Sequence, residues 1–194
     1  MASLVAAMPV ISLAGPSDAP PFSTFVERCI VPAADYHHVN QYILRAILRV
    51  ESGLKPKSVG RNNNGTVDVG IGQMNSMHFK ELSVFGIAPG DLLDPCVGTY
   101  VAAWHLKKGI NKYGNTWFGI ASYHSATLYF NRRYQALVKN ELVRAHVLAD
   151  NILPVPPLRP NGAIKVPTNT NNRFLTNRSR STQAANSVSV VVNE

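Results

Sequence analysis

Between Val39 and Gly53 the chain has little choice but to form a helix that is apolar on nearly every side. Val39, Tyr42, Ile43, Ala46, Ile47 and Val50 recur at i, i+3 and i+4 spacing, and Leu44 and Leu48 widen the apolar face. Asn40 is suited to cap the start and Gly53 to stop the end. A helix of this kind must be surrounded by other elements, so the chain has to supply partners on several sides. In its last turn, beside that apolar face, stands a carboxylic acid, Glu51.

The partners are helical for the most part. Periodicity predicts helices at about 76–84, 95–112, 116–124 and 128–148, the second carried by Val97, Val101, Trp104 and Leu106. Residues 61–72 read differently, with the turn dipeptide Asn64-Gly65 followed by the alternation Val67-Asp68-Val69. The expected architecture is mostly α (α+β), with one small β-hairpin between helices. Three zones follow: a leader and linker over 1–22, a folded domain over 23–150, and a tail over 151–194. The tail opens with five prolines between 154 and 167, which favour extended chain. From Thr168 it is rich in Asn, Ser, Thr and Arg, a composition that cannot build a core, and disorder is expected there.

With 194 residues, 45% hydrophobic and 15% charged, the chain can bury a core of ordinary size. No uncharged run reaches the roughly 20 residues that a membrane helix needs, and a soluble monomer is expected. The net charge of +8 suits any polyanion but names none. Basic residues are scattered without an aromatic stripe, so nucleic acid is not an expected partner. Cys29 and Cys96 stand far apart, without the short paired spacing of a zinc site. A disulfide across this loop would contribute about 4 kcal/mol on the chain-entropy argument. It is favoured over two buried thiols and implies an oxidising compartment. Ala2 to Gly15 resembles the apolar core of a secretory signal, but no Lys or Arg precedes Arg28. Periplasmic or secreted is the expected location, with an atypical leader.

A solvated glutamate is ionised at neutral pH and cannot act as an acid. Burial against apolar side chains disfavours the charged form and keeps the proton on. An apolar helix around Glu51 therefore makes it a candidate general acid. The alternative, a solvated glutamate at a helix end, stays open on these residues alone.

Residues 47–76 resemble the lytic transglycosylases of the soluble-lytic-transglycosylase type and, more distantly, animal-type lysozymes. The family's glutamate-serine pair is matched by Glu51-Ser52, and its Gly-Leu-Met-Gln-like motif by Gly70-Ile71-Gly72-Gln73, with Met74-Asn75 after it. Its Ala-Tyr-Asn-Ala-Gly-like motif is matched by Ser122-Tyr123-His124-Ser125-Ala126, and a later tyrosine by Tyr134. The likeness covers roughly 27–140. It is strongest to the subgroup accompanying secretion, pilus and conjugation machines, through Asn64 to Gly70 and Asp94-Pro95-Cys96. The resemblance implies a lysozyme-like fold, a disulfide between Cys29 and Cys96, and peptidoglycan as substrate. It also implies Glu51 as the catalytic acid, with Ser52, Gln73, Met74, Asn75, Tyr123, His124 and Tyr134 around the substrate. A component of a secretion, pilus or conjugation apparatus would be the partner. Three departures stand out: His124 replaces an asparagine, Ala126 a glycine, and Gly72 a bulky apolar residue. His124 can still donate a hydrogen bond but titrates near neutrality.

Asp68 follows Glu51 by seventeen residues, the spacing of the two carboxylates in animal-type lysozymes. It is a possible second carboxylate, serving hydrolysis through a glycosyl-enzyme. It could equally be a structural aspartate bonded to the hairpin. The family instead works through one glutamate, with attack by the sugar's own C6 hydroxyl to give 1,6-anhydromuramic acid, and that reading is favoured. A muramidase is the first alternative and a non-catalytic wall-binding module the second. Neither cofactor nor metal is required: the six histidines form no His-Glu-Xaa-Xaa-His pair, and no Gly-Xaa-Ser-Xaa-Gly elbow occurs. The tail carries Arg159, Lys165, Arg173, Arg178 and Arg180 against Glu194, and is read as a solvated extension. Deleting 160–194 should leave cleavage intact; a truncated protein without activity on purified peptidoglycan would overturn this.

Overall fold

The structure is a computed structural model that describes residues 22–158, with side chains from Phe25 onward. The leader over 1–21 and the basic tail from 159 lie outside the described residues. Helices α1 (Phe22–His37) and α2 (Gln41–Ser52) come first, followed by three short strands, β1 (Val59–Arg61), β2 (Val67–Val69) and β3 (Met74–Asn75). Helices α3 (Phe79–Ser83), α4 (Pro95–Tyr113), α5 (Trp117–Ala121) and α6 (Leu128–Arg144) complete the domain. Among the described residues no helix is long and apolar enough to cross a membrane.

Helix α2 is the centre of the core, as its sequence requires. The Asn40 side chain accepts from the backbone N–H groups of Tyr42 and Ile43, and Gly53 closes the helix at φ 62°. Ile43, Leu44, Ala46, Ile47 and Leu48 are buried against α1, α4 and α6. Fully burying each of the four leucine and isoleucine side chains contributes about 2 kcal/mol, so the helix is held by packing far more than by its own propensity. The fold class agrees with the expectation, and the helical segments read from periodicity lie within a few residues of those expected.

Two elements differ from the sequence reading. Helix α1 was not singled out, because Pro32 interrupts its run and removes one backbone donor. Its buried face, Val26, Cys29, Ile30, Ala33 and Ala34, nevertheless lies along α4. The expected single hairpin over 61–72 is a three-stranded antiparallel sheet in the order β1-β2-β3. Asp68 stands opposite Gly60 on one side and Asn75 on the other. The third strand has two residues, too short for an alternation to be seen.

The disulfide joins Cys29 of α1 to Cys96 in the first turn of α4, Cα to Cα 5.1 Å, closing a loop of 67 residues. Asp94 caps α4 by accepting from Cys96 and Val97. Beyond α6 the extended stretch 151–158 is fastened to that helix. Asn140 exchanges two hydrogen bonds with Leu153, and the Tyr129 hydroxyl donates to the Pro157 carbonyl.

Candidate active site

The end of α2, the small sheet and the turn after α5 converge on a cleft of about 340 Å³. Glu51, Asp68, Gln73, Met74, Asn75, Tyr123 and His124 all line it, although the chain separates the first from the last by more than seventy residues. Asn62, Met77, His78 and His105 complete the wall.

Glu51 enters from the last turn of α2, and the hydroxyl of Tyr134 on α6 donates to its Oε1. Burial pushes the Glu51 carboxyl up to about 7; the Tyr134 bond opposes this, and the nearby negative charge of Asp68 adds to it. The acid thus keeps its proton to neutrality, as general acid catalysis requires. Tyr134 is itself raised well above the usual phenol range, chiefly by burial, so its hydroxyl stays a donor. Its ring is near-parallel to those of Tyr123 and His124, at centroid distances of 6.4 and 5.0 Å.

Asp68 faces the same cleft from β2. Its Oδ2 accepts from Asn62 Nδ2 at 2.8 Å and its Oδ1 from Asn75 Nδ2 at 2.7 Å. The partners are thus side-chain amides rather than the hairpin backbone. Thr66 Oγ1 receives a second bond from each of these amides, at 3.0 Å. Asn62 and Asn75 therefore hold the carboxylate at fixed orientation.

Three residues named from the sequence are engaged elsewhere. Ser52 does not line the cleft: its hydroxyl donates to the Ile71 carbonyl at 2.7 Å, tying α2 to the turn before β3. Gln73 lies on the wall, but its Nε2 donates to the carbonyls of Gly70 and Ser58 and holds a turn at φ 46°. The Tyr123 hydroxyl donates to the Gly72 carbonyl at 2.7 Å. That bond explains the departure at Gly72. A Cβ there would lie 2.7 Å from the Tyr123 hydroxyl and 2.8 Å from Cβ of Ala102 on α4. Gly72→Leu should therefore displace Tyr123 and cost about 2 kcal/mol, read as a lowered melting temperature; unchanged stability would overturn the packing argument.

His78 and His105 were missed by sequence reasoning. Their rings are 4.7 Å apart, and His105 Nε2 lies 3.2 Å from the Tyr123 carbonyl. Burial, then His78, pushes His105 down to about 4, so it is neutral in the physiological range. The available signal was phase: His105 stands one helical turn after the buried Val101, so a polar ring shares a core face. Among the described residues no group of three His, Cys, Asp or Glu side chains could hold a metal ion.

The family model described as Transglycosylase SLT domain matches residues 28–142, which include every cleft residue above. Invasion protein IagB of Salmonella typhimurium is 35% identical over 100 residues, 51% of this chain and 62% of the relative. Protein IpgF of Shigella flexneri is 31% identical over 114 residues, 53% of this chain and 75% of the relative. X polypeptide of Escherichia coli is 33% identical over 98 residues, 50% of this chain and 58% of the relative. The chain spans about three-fifths of the length of the invasion protein it matches.

Proposed function

We propose that this chain, which belongs to the transglycosylase SLT domain family, cleaves the β-1,4 bond between N-acetylmuramic acid and N-acetylglucosamine of peptidoglycan. The observation that carries this reading is the Glu51 carboxyl, half-buried in the cleft, bonded to Tyr134 and raised by desolvation to about 7. Glu51 protonates the glycosidic oxygen as the bond to the muramic C1 breaks, and the substrate's N-acetyl carbonyl oxygen assists at C1. The Glu51 carboxylate then takes the proton of the C6 hydroxyl, whose oxygen attacks C1 and closes a 1,6-anhydro ring. Tyr134 orients Glu51 throughout.

Asp68 suits electrostatic support of the positive charge that develops on the sugar ring. Both of its oxygens already accept amide hydrogen bonds, which lowers their nucleophilicity. Hydrolysis, with Asp68 as nucleophile, is the second reading because Asp68 shares the cleft with Glu51. Mass spectrometry of the sugars released from purified peptidoglycan separates the two. Products one water lighter than reducing muropeptides are expected; reducing ends would make the protein a muramidase.

The location proposed is the periplasm or the exterior, where the wall is. A relative named an invasion protein supports the further reading that the cleavage opens the wall locally for a secretion, pilus or conjugation apparatus.

A further inference from the structure

We propose that the loop following Glu51 is a second, anion-binding site that takes the free carboxylates of peptidoglycan stem peptides while the glycan occupies the cleft. The inference rests on the functional reading above. A separate cavity of about 580 Å³ is formed by the end of α2 and residues 53–58. Arg49, Lys55 and Lys57 line it, all three are exposed, and no acidic side chain does. Among the described residues the ion pairs are Arg45–Glu27, Lys108–Glu81, His78–Glu81 and Arg144–Glu141, so none neutralises these three cations. Arg49 gains from the carbonyl end of α2, but Lys55 and Lys57 lie past it and have no such reason to be basic.

The loop is also held still. Gly53 and Leu54 both take left-handed backbone angles, φ 62° and 63°, and for a leucine this is strained. Burial of Leu54 in the core and of Pro56 beside it offsets that strain. Lys55 is further fixed by its N–H donating to Ser52 Oγ at 3.1 Å. A rigid loop presents its charges with little ordering cost on binding.

Position argues for the substrate's own peptide as occupant. The cations come two, four and six residues from Glu51. Ser58 lines the cavity, and its carbonyl accepts from Gln73 Nε2 on the cleft wall, so a hydrogen bond ties a wall residue of one space to a wall residue of the other. Stem peptides leave the muramic sugar beside the cut bond, advance about 3.3 Å per residue when extended, and carry free carboxylates.

The test compares the native full chain with Arg49→Gln/Lys55→Gln/Lys57→Gln on three substrates. These are strands with intact stem peptides, strands stripped of peptide by an amidase, and strands whose peptide carboxyls have been converted to amides. With intact strands at low salt, KM should rise about tenfold in the variant while kcat holds. With stripped or amidated strands the two proteins should match. If KM is unchanged on intact strands, or changes equally on all three, the site is disproved. If instead the variant keeps its KM and loses binding to phosphatidylglycerol vesicles, the patch serves a membrane surface and the proposal falls. Lys55→Glu/Lys57→Glu, with the same exposed positions reversed in charge, should raise KM further on intact strands alone. A native protein that cleaves no strand at all would defeat the functional reading first and this site with it.

Discussion

Glu51→Gln should lower the rate of peptidoglycan cleavage by about three orders of magnitude, the middle of the range a positioned general acid contributes. The amide keeps the shape and still accepts from Tyr134, so the fold and the cleft should survive. A variant that cleaves within tenfold of the native rate would remove Glu51 from the chemistry. The pH profile gives a second reading of the same group. In the proposed mechanism Glu51 starts the reaction protonated, and burial raises its carboxyl to about 7. The native kcat/KM should therefore hold on the acid side of neutrality and fall tenfold per unit above about pH 7. Stability moves the same way. A carboxyl raised from 4.5 to about 7 on folding contributes most below 4.5, and its contribution is lost as pH rises through 7. The charged form then costs roughly 3 kcal/mol. Glu51→Gln should consequently melt several degrees above the native protein at pH 8 and level with it at pH 4.5, by calorimetry. An equal melting temperature at pH 8 would contradict a buried carboxylate.

Removing the Cys29–Cys96 bond should cost about 4 kcal/mol, a large part of the 5–15 kcal/mol available to a domain of this size. The bond closes a 67-residue loop and fastens α1 over α4. Released, α1 can lift and expose Val26, Ile30, Ala33 and Ala34, because Pro32 leaves it one backbone bond short. Cys29→Ser/Cys96→Ser should melt at least ten degrees lower. A reductant should reproduce the shift in the native protein and leave the double variant unmoved. A native protein whose melting ignores reductant would show that packing alone holds α1.

Much of the cleft was legible before any coordinates, for reasons that differ by residue. Helix α2 could be read with both ends because its determinants are local. Asn40 caps two residues ahead, Gly53 closes the helix, and the apolar period needs no distant partner. Glu51 stood out because an acid at the end of such a helix is costly unless it is used. The Asp68 network was half legible: Asn64-Gly65 announces the turn, but nothing in the spacing reveals that Asn62, just past β1, and Asn75 of β3 clamp the carboxylate from either side. The hydrogen bonds by which Ser52 and Gln73 hold the backbone carbonyls of Ile71, Gly70 and Ser58 were not legible, since those partners lie on separate segments. The anomaly at Gly72 had no explanation until Tyr123, 51 residues later, was seen to occupy the space and bond the carbonyl. His78 and His105 were overlooked because neither completes a motif and their relation is contact between rings on separate elements.

Helix positions and the β turn follow from interactions within about four residues, which a linear text preserves, and the candidate acid is marked by its place at the end of one such helix. Tertiary packing decided what that acid is worth. Glu51 reaches about 7 through burial by elements far along the chain and through Asp68, and it is aimed by Tyr134 from 83 residues away. Desolvation and hydrogen-bond direction depend on distances in space. The same glutamate at the end of an unpacked helix would be solvated, ionised at neutral pH and unable to give up a proton.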